Sequence, residues 1–344
     1  MTISQNLIFL TIILVFLNYF CLKHNIFVDC VNNSNHKKFV LQTKPTPITG
    51  GVYLLFGYVL SQTYIYNFSE IFYFGSILIV GYLSDIYKNF YPSLRLLLQA
   101  VICLLFLVYF NLNISDVRVE YVNTLLGSHI ISYIFTAFCL IVLINGSNFI
   151  DGVNLLSAGY YLSILISLIF LSSNYSLLLN QELVIILSAL LTVLIFFNGF
   201  NKVFLGDGGI YFLSFIVGII LIKFDTENSI VSPYYIISLL WYPCFENLFS
   251  IARKKLIKIS PQESDNMHLH HLIYRMLESQ KSKIARSNLA GFIILLFNLP
   301  VFILSSYYFN LTKYLIIIIF FCVVFYIMSY YFLTKILKKK ANNF

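Results

Sequence analysis

The chain has 344 residues, 59% of them hydrophobic and only 10% charged, with 22 Lys and Arg against 14 Asp and Glu and a mean hydropathy of +0.85. A soluble globule would carry about a quarter of its residues as charged side chains. That class is excluded, and an integral membrane protein remains.

A helix crossing roughly 30 Å of hydrocarbon needs about 20 apolar residues. Eleven runs approach that length, at approximately 4–22, 50–66, 69–83, 96–112, 127–144, 158–173, 183–199, 209–224, 232–250, 289–308 and 314–334. They predict an all-α polytopic bundle of about 11 transmembrane helices, with ten as the alternative count. The longest polar connections are 23–47 and 251–288, so residues 1–344 are expected to form one membrane domain.

In chain order, the first run lacks a basic lead and a small-residue cleavage site, and so reads as a retained helix rather than a removed signal peptide. Cys21, Cys103, Cys139 and Cys322 fall inside apolar runs, and the six cysteines show neither CxxC spacing nor a disulfide framework. The second and third runs are closely joined, as are the tenth and eleventh, so each pair is expected to pack antiparallel.

After the third run comes GYLSDIYK (81–88), with Asp85 and Lys88 followed by Arg95. An i,i+3 ion pair on a solvated helix end is the plainer reading. The fifth run ends in NGSNFIDGVN (145–154), where Asn145, Asn148, Asp151 and Asn154 recur every three residues. On a helix that spacing places them near one face. A turn is the alternative, but four polar groups in register beside Ile144, Phe149 and Ile150 favour a ligand site.

FLGDGG (204–209) opens the eighth run, with Gly206 and Gly208 around Asp207. Glycine lets backbone approach a ligand closely, and a helix N-terminus offers N–H groups to an anion. A simple N-cap by Asp207 is the competing reading.

The loop after the ninth run contains DNMHLHHLIYR (265–275). His268 and His271 are expected on one helical face, with His270 pointing elsewhere and Asp265 one turn before. Zinc would need a further ligand that no cysteine or glutamate is placed to supply. Arg253, Lys254, Lys255 and Arg275 favour phosphate contact instead, and a solvated basic loop is the third reading.

If the runs alternate across the bilayer, one face receives nineteen Lys and Arg and the other only Arg118, Lys223 and Lys313. The positive-inside rule makes the first face cytoplasmic, with the N-terminus outside and the C-terminus inside. All four polar sequences fall on that face, through loops 23–47, 84–95, 145–157, 200–208 and 251–288. The opposite loops, such as NLNISDVRVEYVNTL (111–125), hold no comparable grouping.

Ionisable groups at membrane depth are costly and usually functional, so these sequences are read as one site. Carboxylates from three loops can hold a hard cation, of which Mg²⁺ takes one or two plus substrate phosphate oxygens. Carboxylates, glycines at a helix start and a cationic cluster are together what phosphoryl transfer requires. At a membrane surface one substrate would be a lipid and the other a soluble nucleotide.

TPITGGVYL (46–54), GYLSDIYKNFYPSLRLLLQ (81–99), NGSNFIDGVN (145–154), KVFLGDGG (202–209) and DNMHLHH (265–271) resemble, in order, the signature motifs of the polyprenyl-phosphate N-acetylhexosamine-1-phosphate transferases. The resemblance implies a Mg²⁺-dependent enzyme, with Mn²⁺ as the alternative ion. It would move a sugar 1-phosphate from a UDP-N-acetylhexosamine to undecaprenyl phosphate, releasing UMP, in the bacterial inner membrane and on its cytoplasmic face.

Asp207 and Asp85 would then be the metal residues, and Asp85, Asp151 and Asp207 the catalytic ones. Asn145, Asn148, Asn154, Lys88, Arg95, Gly206, Gly208, His268, His270 and His271 would bind substrate. A lipid bilayer and a homodimer partner are expected, and no nucleic acid. HLHH preceded by SPQESDN is similar to the branch that initiates O-antigen or a related surface glycan, rather than to the phospho-N-acetylmuramoyl-pentapeptide transferase branch. Two residues depart from the family pattern: Ser84 stands where it has the first of two aspartates, and Leu155 where it has a glycine. A membrane transporter and an inactive lipid-phosphate-binding homologue are the rival classes.

Overall fold

A computed structural model describes residues 3–29, 45–61, 68–87, 90–258, 266–278 and 282–341. Among them the chain is an all-α membrane bundle of α1 (Ile3–His24), α2 (Gly50–Ser61), α3 (Phe68–Ile86), α4 (Pro92–Tyr109), α5 (Glu120–Leu126), α6 (His129–Ile150), α7 (Leu156–Tyr175), α8 (Gln181–Gly199), α9 (Gly206–Glu227), α10 (Pro233–Leu239), α11 (Trp241–Leu256), α12 (Leu269–Met276), α13 (Lys283–Tyr307) and α14 (Thr312–Ala341). The only described sheet is a two-residue antiparallel pair, β1 (Val28–Asp29) with β2 (Thr46–Pro47).

Eight helices, α3, α4, α6, α7, α8, α9, α13 and α14, are long and apolar enough to cross a bilayer. The first run appears as α1, with Ile8–His24 as its apolar part, and the second as the shorter α2. The ninth run, expected as one span, is divided at Leu240 into α10 and α11. Pro243 explains the break. It has no N–H for the carbonyl one turn earlier, and that carbonyl, of Leu239, accepts instead from the Tyr160 hydroxyl at 2.8 Å. Trp241 Nε1 donates to Asn298 Oδ1 at 2.8 Å, pinning the break to α13.

The exterior is apolar: Phe16, Leu97, Leu105, Phe138, Phe196 and Phe320 are all exposed, as side chains facing hydrocarbon must be. α9 is the central rod and is buried along almost its whole length against α2, α3, α6 and α7. Small residues permit this approach. A Cβ on Gly51 would lie 2.5 Å from Gly209 Cα, and one on Gly218 would lie 2.7 Å from a Leu140 methyl.

Polar contacts tie the two ends of the bundle separately. At one end Arg118 donates to Thr312 Oγ1 at 2.9 Å and to the carbonyls of Asn310 and Val231 at 3.1 Å, while Lys223 pairs with Glu70 at 3.2 Å. The polar motifs lie at the other end.

Candidate active site

The Asp207 turn is built from backbone. Phe204 N–H donates to the Pro47 carbonyl at 2.9 Å, and Gly50 N–H to the Phe204 carbonyl at 3.1 Å, so the start of α2 clamps the start of α9. Gly206 has φ +68°, a conformation that glycine adopts without penalty. A Cβ on Gly81 of α3 would fall 2.5 Å from the Asp207 carbonyl oxygen and from Gly208 Cα, and one on Gly208 would meet the Tyr82 ring at 2.9 Å. α3 and α9 therefore touch backbone to backbone at this point.

Asp207 is 2% exposed and is not the helix cap. α9 begins at Gly206, its N-cap position is Leu205, and no side chain caps it. The Asp207 carboxylate instead accepts from Ser84 Oγ at 2.8 Å, with Arg95 Nη1 3.7 Å away. Arg95 also donates to Ser84 Oγ at 3.0 Å, so the serine bridges guanidinium and carboxylate. Asp85 Oδ2 accepts from Gly208 N–H at 3.3 Å. Ser84 thus keeps an oxygen at the departed position and uses it to orient Asp207.

The stretch 145–154 does not present one polar face, because α6 ends at Ile150 and the register stops there. Asn145 Nδ2 donates to Gln99 Oε1 of α4 at 2.9 Å. Asn148 is half-buried in the last turn of α6. Asp151, 8% exposed, accepts from Ser157 Oγ at 2.5 Å. Asn154 Nδ2 donates to Asn201 Oδ1 at 2.5 Å and Asn288 Oδ1 at 3.1 Å. Because the Asn201 carbonyl accepts from Thr46 Oγ1 at 3.3 Å, this turn is linked to the clamp beneath Asp207.

Leu155 has φ +68°. For a residue with a Cβ the left-handed region costs roughly 1–2 kcal/mol, which gives a physical reason for the glycine of the family pattern. Its N–H is held by Asn198 Oδ1 at 2.7 Å.

The histidines are not split between two faces. His268 precedes α12, and the three rings form one cluster: His268 and His270 are nearly parallel with centroids 5.6 Å apart, and His271 lies 4.2 Å from His270. All three are buried, and a Cβ on Gly152 would lie 2.3 Å from His270 Nε2. The cluster therefore rests on the Asp151–Gly152 turn. Burial, then the neighbouring His271 and His268, push the His270 pKa well below its usual value. The ring stays neutral, as suits a hydrogen-bonding group more than a fixed charge.

Among the described residues no three His, Cys, Asp or Glu side chains gather in a metal-binding group. Asp85 lies against the Gly206–Gly208 turn that carries Asp207, whereas Asp151 faces Ser157 and its turn faces the histidines. The three carboxylates do not surround one ion. Two hard oxygen ligands are still the number Mg²⁺ takes when phosphate oxygens complete its shell, so Asp85 and Asp207 fit that ion. Lys88 and Asp265 lie outside the described residues.

Residues 67–225 match glycosyl transferase family 4. This segment is similar to that family. It contains every candidate site residue from Asp85 to Gly208, whereas the histidines lie beyond it. A probable undecaprenyl-phosphate N-acetylglucosaminyl 1-phosphate transferase of Bacillus subtilis (strain 168) is 29% identical over 239 residues, or 67% of this chain. The match spans 63% of that relative's own length. Both likenesses support the superfamily read from the motifs.

Ser157, Asn201, Asn288 and Glu246 join the site only in the folded chain. The first three are ordinary polar residues at helix ends and carry no signal of their own. Glu246 did carry one, as an acid inside an apolar run.

Proposed function

We propose that this protein transfers N-acetylhexosamine 1-phosphate from a UDP-sugar to undecaprenyl phosphate, releasing UMP, as the first step of a cell-surface glycan. The observation that carries the reading is the Gly206–Gly208 turn, where Asp85 accepts from Gly208 N–H and the neighbouring Asp207 is held by Ser84 beside Arg95.

Asp207 and Asp85 would hold Mg²⁺ or Mn²⁺. Such an ion, when bound, neutralises phosphate charge. Arg95 supplies a fixed positive group for a phosphate oxygen. Asp85 orients the lipid phosphate. It need not act as a strong base, because a phosphate monoester is already largely ionised near pH 7, its second pKa being about 6. An oxygen of the lipid phosphate attacks the sugar-bearing phosphorus of the donor, the bond to UMP breaks, and UMP leaves. Asn154 and the histidine cluster would bind the donor, and the basic face would lie on the cytoplasmic side of the bacterial inner membrane.

The test is detergent-purified protein with undecaprenyl phosphate, Mg²⁺ and a panel of UDP-N-acetylhexosamines, following UMP. Release with at least one donor, abolished by chelation, is expected. No UMP with any donor overturns the proposal.

A further inference from the structure

Glu246 lies on α11 inside the apolar ninth run and is 1% exposed. A buried carboxylate is tolerated only when its oxygens are satisfied. Here Oε1 meets His268 Nδ1 at 2.9 Å and Oε2 accepts from the Tyr326 hydroxyl of α14 at 2.7 Å. The carboxylate thus joins three elements, α11, the start of α12 and α14, at the back of the histidine cluster.

An imidazole nitrogen facing a carboxylate carries its proton, which fixes both tautomer and ring plane. Phe149 stacks on His268 with centroids 5.1 Å apart, while His270 stands parallel to it. His270 in turn abuts Gly152, next to Asp151. A series of contacts therefore runs from Glu246 through two rings to the turn that carries Asp151.

We propose, on the footing of the transferase reading above, that Glu246 is a positioning residue. By holding His268 at Nδ1, and being itself held by Tyr326, it sets the histidine cluster against the Asp151–Gly152 turn and so governs the donor side of the site. It touches no substrate. Its effect passes through His268.

Two measurements test this. In the UMP assay, Glu246→Gln is expected to raise the KM for the UDP-sugar by about tenfold, the size of one weakened hydrogen bond to a charged group, and to leave the KM for the lipid unchanged. In a double-mutant cycle, Glu246→Gln combined with His268→Gln is expected to be no worse than His268→Gln alone. Tyr326→Phe is expected to reproduce a smaller part of the same KM effect. Additive losses, or a fall in thermal stability with both KM values moving together, would show a structural role only and overturn the proposal.

The second measurement does not depend on turnover. ¹⁵N spectra of histidine-labelled protein in detergent should show His268 as the Nδ1–H form and should show that form depleted in Glu246→Gln. An Nε2–H ring in the unsubstituted protein defeats the proposal even if UMP is released. The Nδ1–H form together with no UMP release would instead remove the transferase reading and leave the pairing standing.

Discussion

The Asp207 turn and the histidine cluster lie at the same end of the bundle but are held in opposite ways. Around Asp207 the chain is placed by side chains that are missing: Gly51, Gly81, Gly208 and Gly209 let three helices touch backbone to backbone. Around the histidines it is placed by side chains that are present, with Glu246, Tyr326 and Phe149 fixing His268. The first arrangement cannot accept added volume, and the second cannot lose a hydrogen bond. The family match covers the first region apart from Gly51 and, of the second, only Phe149.

The largest expected effect lies in the glycine-built region. Asp207→Asn preserves shape and removes charge, so Mg²⁺-dependent UMP release should fall by about 10³-fold or more while the protein still folds. Retained release would show that the carboxylate pair is not the reacting centre.

Next comes steric intolerance, tested on one helix. Gly81→Ala drives a Cβ into the Asp207 carbonyl and Gly208, where nothing flexible can yield, and should cost about 1–3 kcal/mol. Gly75→Ala meets nothing within 4 Å and should be neutral or slightly stabilising. Thermal unfolding in detergent compares them, and equal shifts would break the contrast.

A smaller effect is expected at the bridge. Ser84→Ala leaves Arg95 near Asp207 but removes the hydroxyl between them, which should slow turnover about tenfold, the size of one hydrogen bond to a charged group. Ser84→Asp should keep or raise the rate, and a large loss there would give the hydroxyl a role of its own.

The smallest effect is a pH dependence in the histidine region. His270 has a depressed pKa in the folded state, so the unfolded chain binds its proton more readily. Stability should therefore fall as pH drops below about 6.5, by roughly 1 kcal/mol over the first unit. His270→Gln should flatten that slope, and an unchanged slope would mean that other groups cause it.

Much of the architecture was legible in the chain. Among the described residues eight of the eleven apolar runs are helices long and apolar enough to cross a bilayer, because spanning length is fixed by bilayer thickness and read from consecutive residues. The motifs at Asp85, Asp151, Asp207 and His268–His271 announced themselves as polar groups where polar groups are expensive. Three features did not read correctly. The break at Leu240 does not show in the hydropathy because Pro243 lies in an otherwise continuous apolar run. The register of Asn145, Asn148, Asp151 and Asn154 assumed a helix that ends at Ile150. The helical spacing of the histidines misleads because the helix begins only at Leu269.

The sequence by itself determined a membrane-embedded all-α chain with its unusual polar residues in a few short motifs, since hydropathy and motif spacing are properties of neighbours along the chain. Only the tertiary structure decided that Asp207 answers to Ser84 and Arg95 rather than capping its own helix, and that Asp151 sits with the histidines. It also decided that a glutamate from an apolar run secures them. Those pairings depend on which helices can approach closely, and that is set by glycines and side-chain volumes more than twenty and often more than a hundred residues apart in sequence.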